Sequence, residues 1–411
     1  MTSPDAHVVI VGAGHAGGTL AALLRQYGHA GAITLVGEEP IPPYQRPPLS
    51  KAWLKGEADA ESLALKPLEF YAENRIDFRP SVRAERIDRD RKVLVLSDGT
   101  ELAYDFLVLA TGARPIRLPI PGADLKGILE LRTAADAEAL KGALGPGRTM
   151  AVVGGGYIGL EAAASARALG ADAVVLEREP RILARVAGEV LSTFFRTLHE
   201  GHGVQFHTGA SVTGFCGEGG RVTGVELADG RVIACDLALV GVGAVPNQEL
   251  AQEAGLAVNR GVVVDLEART SDPAIFAIGD VTFRPVPVHD CSLRLESVPN
   301  ALEQARQAAH AIVGRPQPAP EVPWFWSDQY DLKLQITGLP ASADRILLRG
   351  EPSTGRFAVF HLKGTRIVCV EAVNAPPEFM AGKQLIQKRT PVDLGRLADP
   401  AVSMKAVAVD L

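Results

Sequence analysis

Val8-Val9-Ile10-Val11-Gly12-Ala13-Gly14-His15-Ala16-Gly17 is a four-residue apolar run followed at once by a glycine-spaced turn. A helix-like stretch, Thr19 to Tyr27, comes next, then a second apolar run, Ile33-Thr34-Leu35-Val36, with Glu38 just beyond it. The same order returns later in the chain. Met150-Ala151-Val152-Val153 leads into Gly154-Gly155-Gly156-Tyr157-Ile158-Gly159, an Ala-rich stretch from Leu160 to Leu169, then Ala173-Val174-Val175-Leu176 and Glu177. Each copy reads as strand, glycine turn, helix, strand, acid. Glycines let the backbone turn sharply and bring N–H groups against a pyrophosphate at a helix N-terminus, while the closing acid can accept from a ribose hydroxyl. One such fingerprint is a weak signal. Two complete copies predict two bound dinucleotides.

Outward from these units, Phe106-Leu107-Val108-Leu109-Ala110-Thr111-Gly112 reads as a buried strand ending in a turn, and Leu237-Ala238-Leu239-Val240-Gly241-Val242-Gly243 as its counterpart after the second unit. Ile275-Phe276-Ala277-Ile278-Gly279-Asp280 places an acid at the end of a further short strand. Asn300 to Val313 is predicted to be a helix ending at Gly314, and Gly314 to Pro323, with four prolines, reads as a linker. Beyond it, Lys333 to Ile336, Ile346 to Arg349, Phe357 to His361 and Ile367 to Ala372 read as strands of a separate β-rich domain. The expected fold class is α/β: two Rossmann-like dinucleotide-binding domains and a C-terminal α+β domain.

A length of 411 residues suits two or three domains. The net charge of −6 argues against nucleic-acid binding. Cys216, Cys235, Cys291 and Cys369 show no two-residue spacing, so they read as reduced, mostly buried thiols of a cytoplasmic protein. The polar start, Met1 to His7, leaves no room for a signal peptide, and no apolar run reaches the roughly 18 residues that span a bilayer. His199, Glu200, His202 and His207 lack metal-site spacing, with Gly201 and Gly203 suggesting a turn, and no metal is expected. His289-Asp290-Cys291 reads as a loop rather than a triad.

As a set, the paired fingerprints, Ala110-Thr111-Gly112 and Ile278-Gly279-Asp280 resemble the two-dinucleotide-fold flavoproteins that include glutathione reductase. Pro47-Pro48-Leu49-Ser50-Lys51 and Glu296-Ser297-Val298-Pro299-Asn300-Ala301-Leu302-Glu303-Gln304-Ala305 are similar to segments of the ferredoxin reductases of bacterial oxygenase systems. The resemblance covers nearly the whole chain. It implies a discontinuous FAD-binding domain at 1–113 and 245–324, an NAD-binding domain at 114–244 and a C-terminal domain at 325–411. It also assigns roles. Gly12, Gly14, Ala16 and Gly17 would form the FAD pyrophosphate turn beside Ala110, Thr111 and Gly112, with Glu38 on the adenosine ribose and the Val82 backbone on adenine. Arg132 would reach the phosphates, Asp280 the ribityl chain and the Val298 backbone the flavin ring; Trp326 would border the flavin. Lys51, paired with Glu161, would lie at the reactive flavin edge as the catalytic pair. For the nicotinamide cofactor, Gly154, Gly156, Tyr157, Ile158, Gly159 and Gly243 would surround the pyrophosphate, with Glu177 on the ribose. A carboxylate there repels a 2′-phosphate and favours NADH, although Arg178 and Arg181 are close in sequence. Trp324 and Trp326 alternate as on a strand, so one is expected in the core and the other near the cofactor.

Disulphide reductases of this kind carry a cysteine pair just past the first unit, where this chain, from Glu39 to Lys51, has none. There is no Cys₄ run for an iron–sulfur cluster either. The expected activity is therefore transfer of electrons from NADH through FAD to a separate 2Fe-2S ferredoxin serving a monooxygenase or dioxygenase, by a monomer or dimer with no nucleic-acid or membrane partner. The residues from 331 onward hold 11 Lys and Arg against 8 Asp and Glu, which permits a basic docking face. Two other readings share the motifs: an NADH-dependent reductase of a quinone or organic radical, and a flavin-based redox-sensing interaction protein.

Overall fold

The structure, a computed structural model, describes residues 5–409; Met1 to Pro4, part of the polar start read above, and Asp410 and Leu411 lie outside the described residues. Two compact units make up the chain. One comprises the chain up to Gln45, Ala60–Arg114 and Pro246–Phe325; the other comprises Arg46–Asp59, Pro115–Val245 and the chain from Trp326.

The first unit is built on a five-stranded parallel sheet in the order Ile275–Ala277, Phe106–Leu109, Val8–Val11, Ile33–Val36, Ile76–Arg79. Strand side chains alternate between faces, so the uniformly apolar run Val8–Val11 must be covered on both sides. Val8 and Ile10 pack with the helices His15–Gln26 and Val298–Val313, through Leu20, Leu24, Ala305 and Ile312. Val9 and Val11 pack on the opposite side with Ile87, Leu94 and Leu96 of a three-stranded antiparallel sheet. Each such buried aliphatic side chain contributes about 1.5–3 kcal/mol. The second of those helices starts at Val298, two residues before the sequence expectation, and ends as expected with Gly314 in the left-handed conformation at φ 74°.

The second unit repeats the parallel sheet, in the order Gln205–Thr208, Asp172–Glu177, Thr149–Val153, Leu237–Val240, Ile128–Leu129. The helix Tyr157–Ala168 follows its glycine turn. The same unit holds a five-stranded sheet in the order Trp324–Gln329, Leu332–Gly338, Arg366–Val373, Arg356–Lys363, Arg345–Glu351. Helix Pro376–Gln387 lies on it so closely that a methyl group on Gly382 would meet the Val370 side chain at 2.5 Å. Residues 315–323 form no helix or strand, as the prolines predict.

Candidate active site

The two glycine turns are the same object built twice. Gly12 and Gly154 both have φ +110°, a conformation open to glycine but strained for other residues. A side chain on Gly12 would strike the Ala110 carbonyl, and one on Gly154 would come within 2.5 Å of the Gly241 carbonyl. Gly17 and Gly159 are closed in the same way by the Gly12 and Gly154 carbonyls, respectively. Gly14 and Gly156 differ from these: no described atom lies within 4 Å of where their side chains would start. Each is the N-cap of its helix, without a side-chain cap and with no acid in the first turn. The first-turn N–H groups therefore face a space shaped for an anion, and both turns fit a dinucleotide pyrophosphate.

Around the first turn, Gly279 takes φ 80° and its added side chain would meet Ala16 at 3.1 Å, so the small residue at position 16 admits the Gly279-Asp280 segment beside the helix start. Thr111 and Gly112 are clasped by Asn247: Thr111 Oγ1 donates to the Asn247 carbonyl, Asn247 Nδ2 to the Thr111 carbonyl, both at 2.8 Å, and Asn247 N–H to Gly112 at 2.9 Å. Val298 begins its helix, where N–H groups have no acceptor within the helix, and Ser297 Oγ caps Asn300 N–H. Val82 donates its N–H to Gly37 at 2.9 Å, so its carbonyl is the group it can offer an adenine amine.

The two closing acids are not equivalent. Gly12 donates to Val36 and Gly154 to Leu176, both at 2.8 Å, which aligns Gly37 with Glu177 and Glu38 with Arg178. Glu38 is 69% exposed, 3.4 Å from Arg83. Glu177 instead lies on its glycine turn, accepting from Gly155 N–H at 2.7 Å and Glu179 N–H at 2.8 Å. Arg178 pairs with Glu179, while the Arg181 guanidinium is committed to the Ala184 and Ala187 carbonyls and to Ser192 Oγ. Ile158, at the helix start, leaves an apolar side chain 53% exposed. The Tyr157 phenol is held well above its usual range by burial first, then by Glu371 and Cys369. Gly243, at φ 120°, accepts from Ile116 N–H at 3.0 Å.

Lys51 and Glu161, 110 residues apart in sequence, meet in the second unit with Nζ 2.7 Å from Oε2. Their side chains are 18% and 6% exposed. Ser50 Oγ donates to the same oxygen at 2.5 Å, and Ser327 Oγ donates to Oε1 at 2.6 Å. Arg132 and Trp326 also belong to this unit; the Arg132 carbonyl accepts from Arg46, and its N–H donates to Asp136 at 3.0 Å.

Several expectations need correction. Trp324 and Trp326 are two apart on one strand and so share a face; both are half-buried, so neither is the core residue expected of one of them. Helix Glu189–Gly201 runs through the expected turn at Gly201, and its His199 is fully buried against Gln329 and Tyr330. The cysteines are not mostly buried: Cys235 and Cys369 are, Cys216 is intermediate and Cys291 exposed. Asn247 and Ser327 were not singled out from the sequence, and Ser50 entered only as a member of the Pro47–Lys51 segment, where the Pro47-Pro48 pair carries the turn signal.

Two glycine turns that each fit a dinucleotide pyrophosphate, with a largely buried lysine–carboxylate pair on an α/β frame, suit an oxidoreductase that handles two dinucleotides. The chain belongs to the pyridine nucleotide-disulphide oxidoreductase family, which matches residues 6–305, and residues 324–408 match the reductase C-terminal family. It is an FAD-binding, NAD(P)H-dependent oxidoreductase. It is 54% identical over 403 residues to a probable ferredoxin reductase of Castellaniella defragrans, covering 98% of each chain. It is 42% identical over 406 residues to putidaredoxin reductase of Pseudomonas putida, covering 98% of this chain and 96% of the relative. Among solved structures, the covalent putidaredoxin reductase–putidaredoxin complex matches with a TM-score of 0.95 at 42% identity, over 97% of each chain. No described helix is long and apolar enough to cross a membrane.

Proposed function

We propose that this protein takes a hydride from NADH onto FAD and passes the electrons singly to a separate 2Fe-2S ferredoxin that serves a monooxygenase or dioxygenase. The observation that carries the proposal is a pair of open dinucleotide turns in a chain whose four cysteines are all free. Burial pushes the Cys235 thiol up to about 11 and the Cys369 thiol well above its usual range, the opposite of an activated thiolate. Electrons that arrive as hydride thus have no internal disulphide to reduce. The ferredoxin partnerships of the relatives support a protein acceptor.

When bound, FAD supplies the conversion from two-electron to one-electron chemistry. The protein supplies binding and orientation. The first turn, with Gly12, Gly14, Ala16, Gly17, Ala110, Thr111 and Gly112, holds the FAD pyrophosphate; Asp280 and the Val298 N–H hold its ribityl and ring ends. Glu38 accepts from the adenosine ribose, Val82 from adenine, and Arg132 and Trp326 complete the assignment. The second turn, with Gly154, Gly156, Tyr157, Ile158, Gly159 and Gly243, holds NADH. Glu177 accepts from its ribose, and the prior engagement of Arg181 supports NADH over NADPH. Lys51, oriented by Glu161, presents a positive charge where the flavin gains negative charge. These roles divide the chain into flavin-binding residues 1–113 and 245–324, nicotinamide-binding residues 114–244 and a C-terminal domain from 325, working in the cytoplasm.

The test is stopped-flow reduction by NADH followed by mixing with a purified 2Fe-2S ferredoxin. Flavin bleaching, then reoxidation in step with ferredoxin reduction, is expected. Flavin that stays reduced until a quinone or oxygen is added overturns the ferredoxin reading in favour of a small acceptor.

A further inference from the structure

Glu161 Oε1 is the end of a chain of hydrogen bonds that the proposed chemistry does not use. Ser327 Oγ lies 2.6 Å from it, Gln329 Nε2 lies 3.1 Å from Ser327 Oγ, and Gln329 Oε1 lies 2.8 Å from His199 Nε2. Tyr330 Oη, 3.0 Å from His199 Nδ1, closes the series, and its ring stacks on His202 at 3.7 Å. Glu161, Ser327, Gln329 and His199 are all buried. The donor inventory fixes the direction of every bond. Lys51 Nζ can only donate, so the Glu161 carboxylate accepts from it, from Ser50 and from Ser327. Ser327, having given its hydrogen to Glu161, accepts from the Gln329 amide; the Gln329 carbonyl then accepts from His199 Nε2–H, and His199 Nδ1 accepts from Tyr330. Burial holds the His199 imidazole down at about 4, so the ring is neutral near pH 7 and can act in these two roles at once.

Every donor points the same way, toward the carboxylate that holds Lys51. The backbone reinforces the arrangement. Ser327 and Gln329 sit two apart on the strand Trp324–Gln329 and share its face. Tyr330, which turns the chain into the next strand, takes φ 55°, an uncommon conformation for a residue with a bulky side chain. That turn brings its hydroxyl to His199.

We propose that Ser327, oriented by Gln329, His199 and Tyr330, is a positioning residue that fixes the Glu161 carboxylate and through it the ammonium group of Lys51. The proposal rests on the reading of Lys51 as the flavin-side residue of hydride transfer. Its content is geometric: without Ser327 the buried Oε1 has lost its donor, and the carboxylate is free to rotate about its side-chain bonds and release Lys51 from one orientation.

The test uses flavin-loaded enzyme and two readouts. In S327A, flavin content and the KM for NADH stay at the wild-type level, while the limiting rate of flavin reduction by NADH falls about tenfold. The rate at which Lys51 is acetylated by a water-soluble anhydride, read by peptide mass spectrometry, rises at least threefold (about 0.65 kcal/mol by RT ln 3) because the amine is no longer held. S327T, which keeps the hydroxyl, restores both values. If S327A does not retain flavin, Q329M, close in size but unable to hold Ser327 and His199, carries the test with the same two changes in the same directions. A K51M enzyme separates this inference from the reading it rests on. If K51M reduces at the wild-type rate, the role of Lys51 fails. If K51M is slow while S327A or Q329M leaves both rate and acetylation unchanged, the positioning role of Ser327 is overturned.

Discussion

Gly14→Ala and Gly156→Ala together separate the part of each turn that serves folding from the part that serves a cofactor. Gly14 has φ −89° and ψ −163° and Gly156 φ −84° and ψ 177°, extended values that alanine adopts without strain, and neither added methyl group meets a described atom within 4 Å. Alanine gains about 0.4–1 kcal/mol by restricting the unfolded chain. At an N-cap it gives back an amount of similar size, about 0.5–1 kcal/mol relative to glycine. Net stability should therefore stay within about 1 kcal/mol of wild type. The methyl group would occupy the space in which helix N–H groups approach a phosphate. Loss of one charge-assisted hydrogen bond costs about 1.5–3 kcal/mol, or about tenfold to hundredfold in affinity. The effects should be crossed: G14A should lose flavin on dilution, whereas G156A should keep its flavin and show a raised KM for NADH. G12A, at φ +110° and aimed at the Ala110 carbonyl, should fail to fold, since the conformation alone costs about 1–2 kcal/mol before the collision. The measurements are flavin absorbance after gel filtration, urea denaturation and steady-state kinetics. Full flavin retention in G14A together with an unchanged KM in G156A would refute the assignment of the open faces to pyrophosphate.

Three further outcomes are expected. Glu177→Ala should raise the KM for NADH about tenfold with flavin content intact, because it removes the proposed ribose acceptor and frees the Gly155 and Glu179 N–H groups; an unchanged KM would place the ribose elsewhere. Arg284→Met should cost about 3 kcal/mol in urea denaturation, since it leaves buried Glu303 without its guanidinium, and adding Glu303→Leu should recover most of that loss. His199 titrates at about 4 in the folded chain against about 6.5 unfolded, so the unfolded state binds the extra proton first. Its contribution is therefore constant above pH 6.5, falls between pH 6.5 and 4 by about 3 kcal/mol, and is flat below; an H199Q variant should lack that slope, and equal slopes in the two proteins would count against a neutral buried ring.

Uninterrupted apolar runs and glycine spacing made the strands and both turns legible, because sterics at a tight turn and two-sided burial of a parallel sheet act on residues close in sequence. The acids were only half legible. Glu177 closes its strand and Glu38 stands one residue further on, an offset readable in the sequence, but its consequence, one acid exposed and the other folded onto its turn, appears only in the structure. The segment Ser297 to Gln304 was recognised by resemblance, whereas its physical content lies in contacts. Asn300 and Glu303 turn inward to pair with buried Arg284, and Gln304 accepts from Gly279 N–H and Thr282 Oγ1. A polar face on an otherwise apolar helix reads from sequence as its solvent side. Ser327, a lone hydroxyl among aromatic residues, gave no signal at all.

The helix Tyr157–Ala168 links the two halves of the proposed chemistry. Its N-terminus opens on the second glycine turn, while Glu161 and Ser165, four residues apart and hence on one face, look toward Ser50 and Lys51. Ser165 Oγ donates to the Ser50 carbonyl at 2.7 Å, and Glu161 accepts from Ser50 Oγ and Lys51 Nζ, so the short segment carrying the lysine is held at two levels one helical turn apart. The remaining carboxylate oxygen is taken by Ser327, from the strand that opens the C-terminal sheet. A carboxylate at 6% exposure needs all of these donors, because a buried charge with an unmet acceptor costs about 1–3 kcal/mol or more. Three segments distant in sequence thus hold one lysine, and under the proposed role of Lys51 the strand that opens the C-terminal sheet contributes to its setting. A chain ending before Trp324 would keep both turns and still leave Glu161 short of a partner.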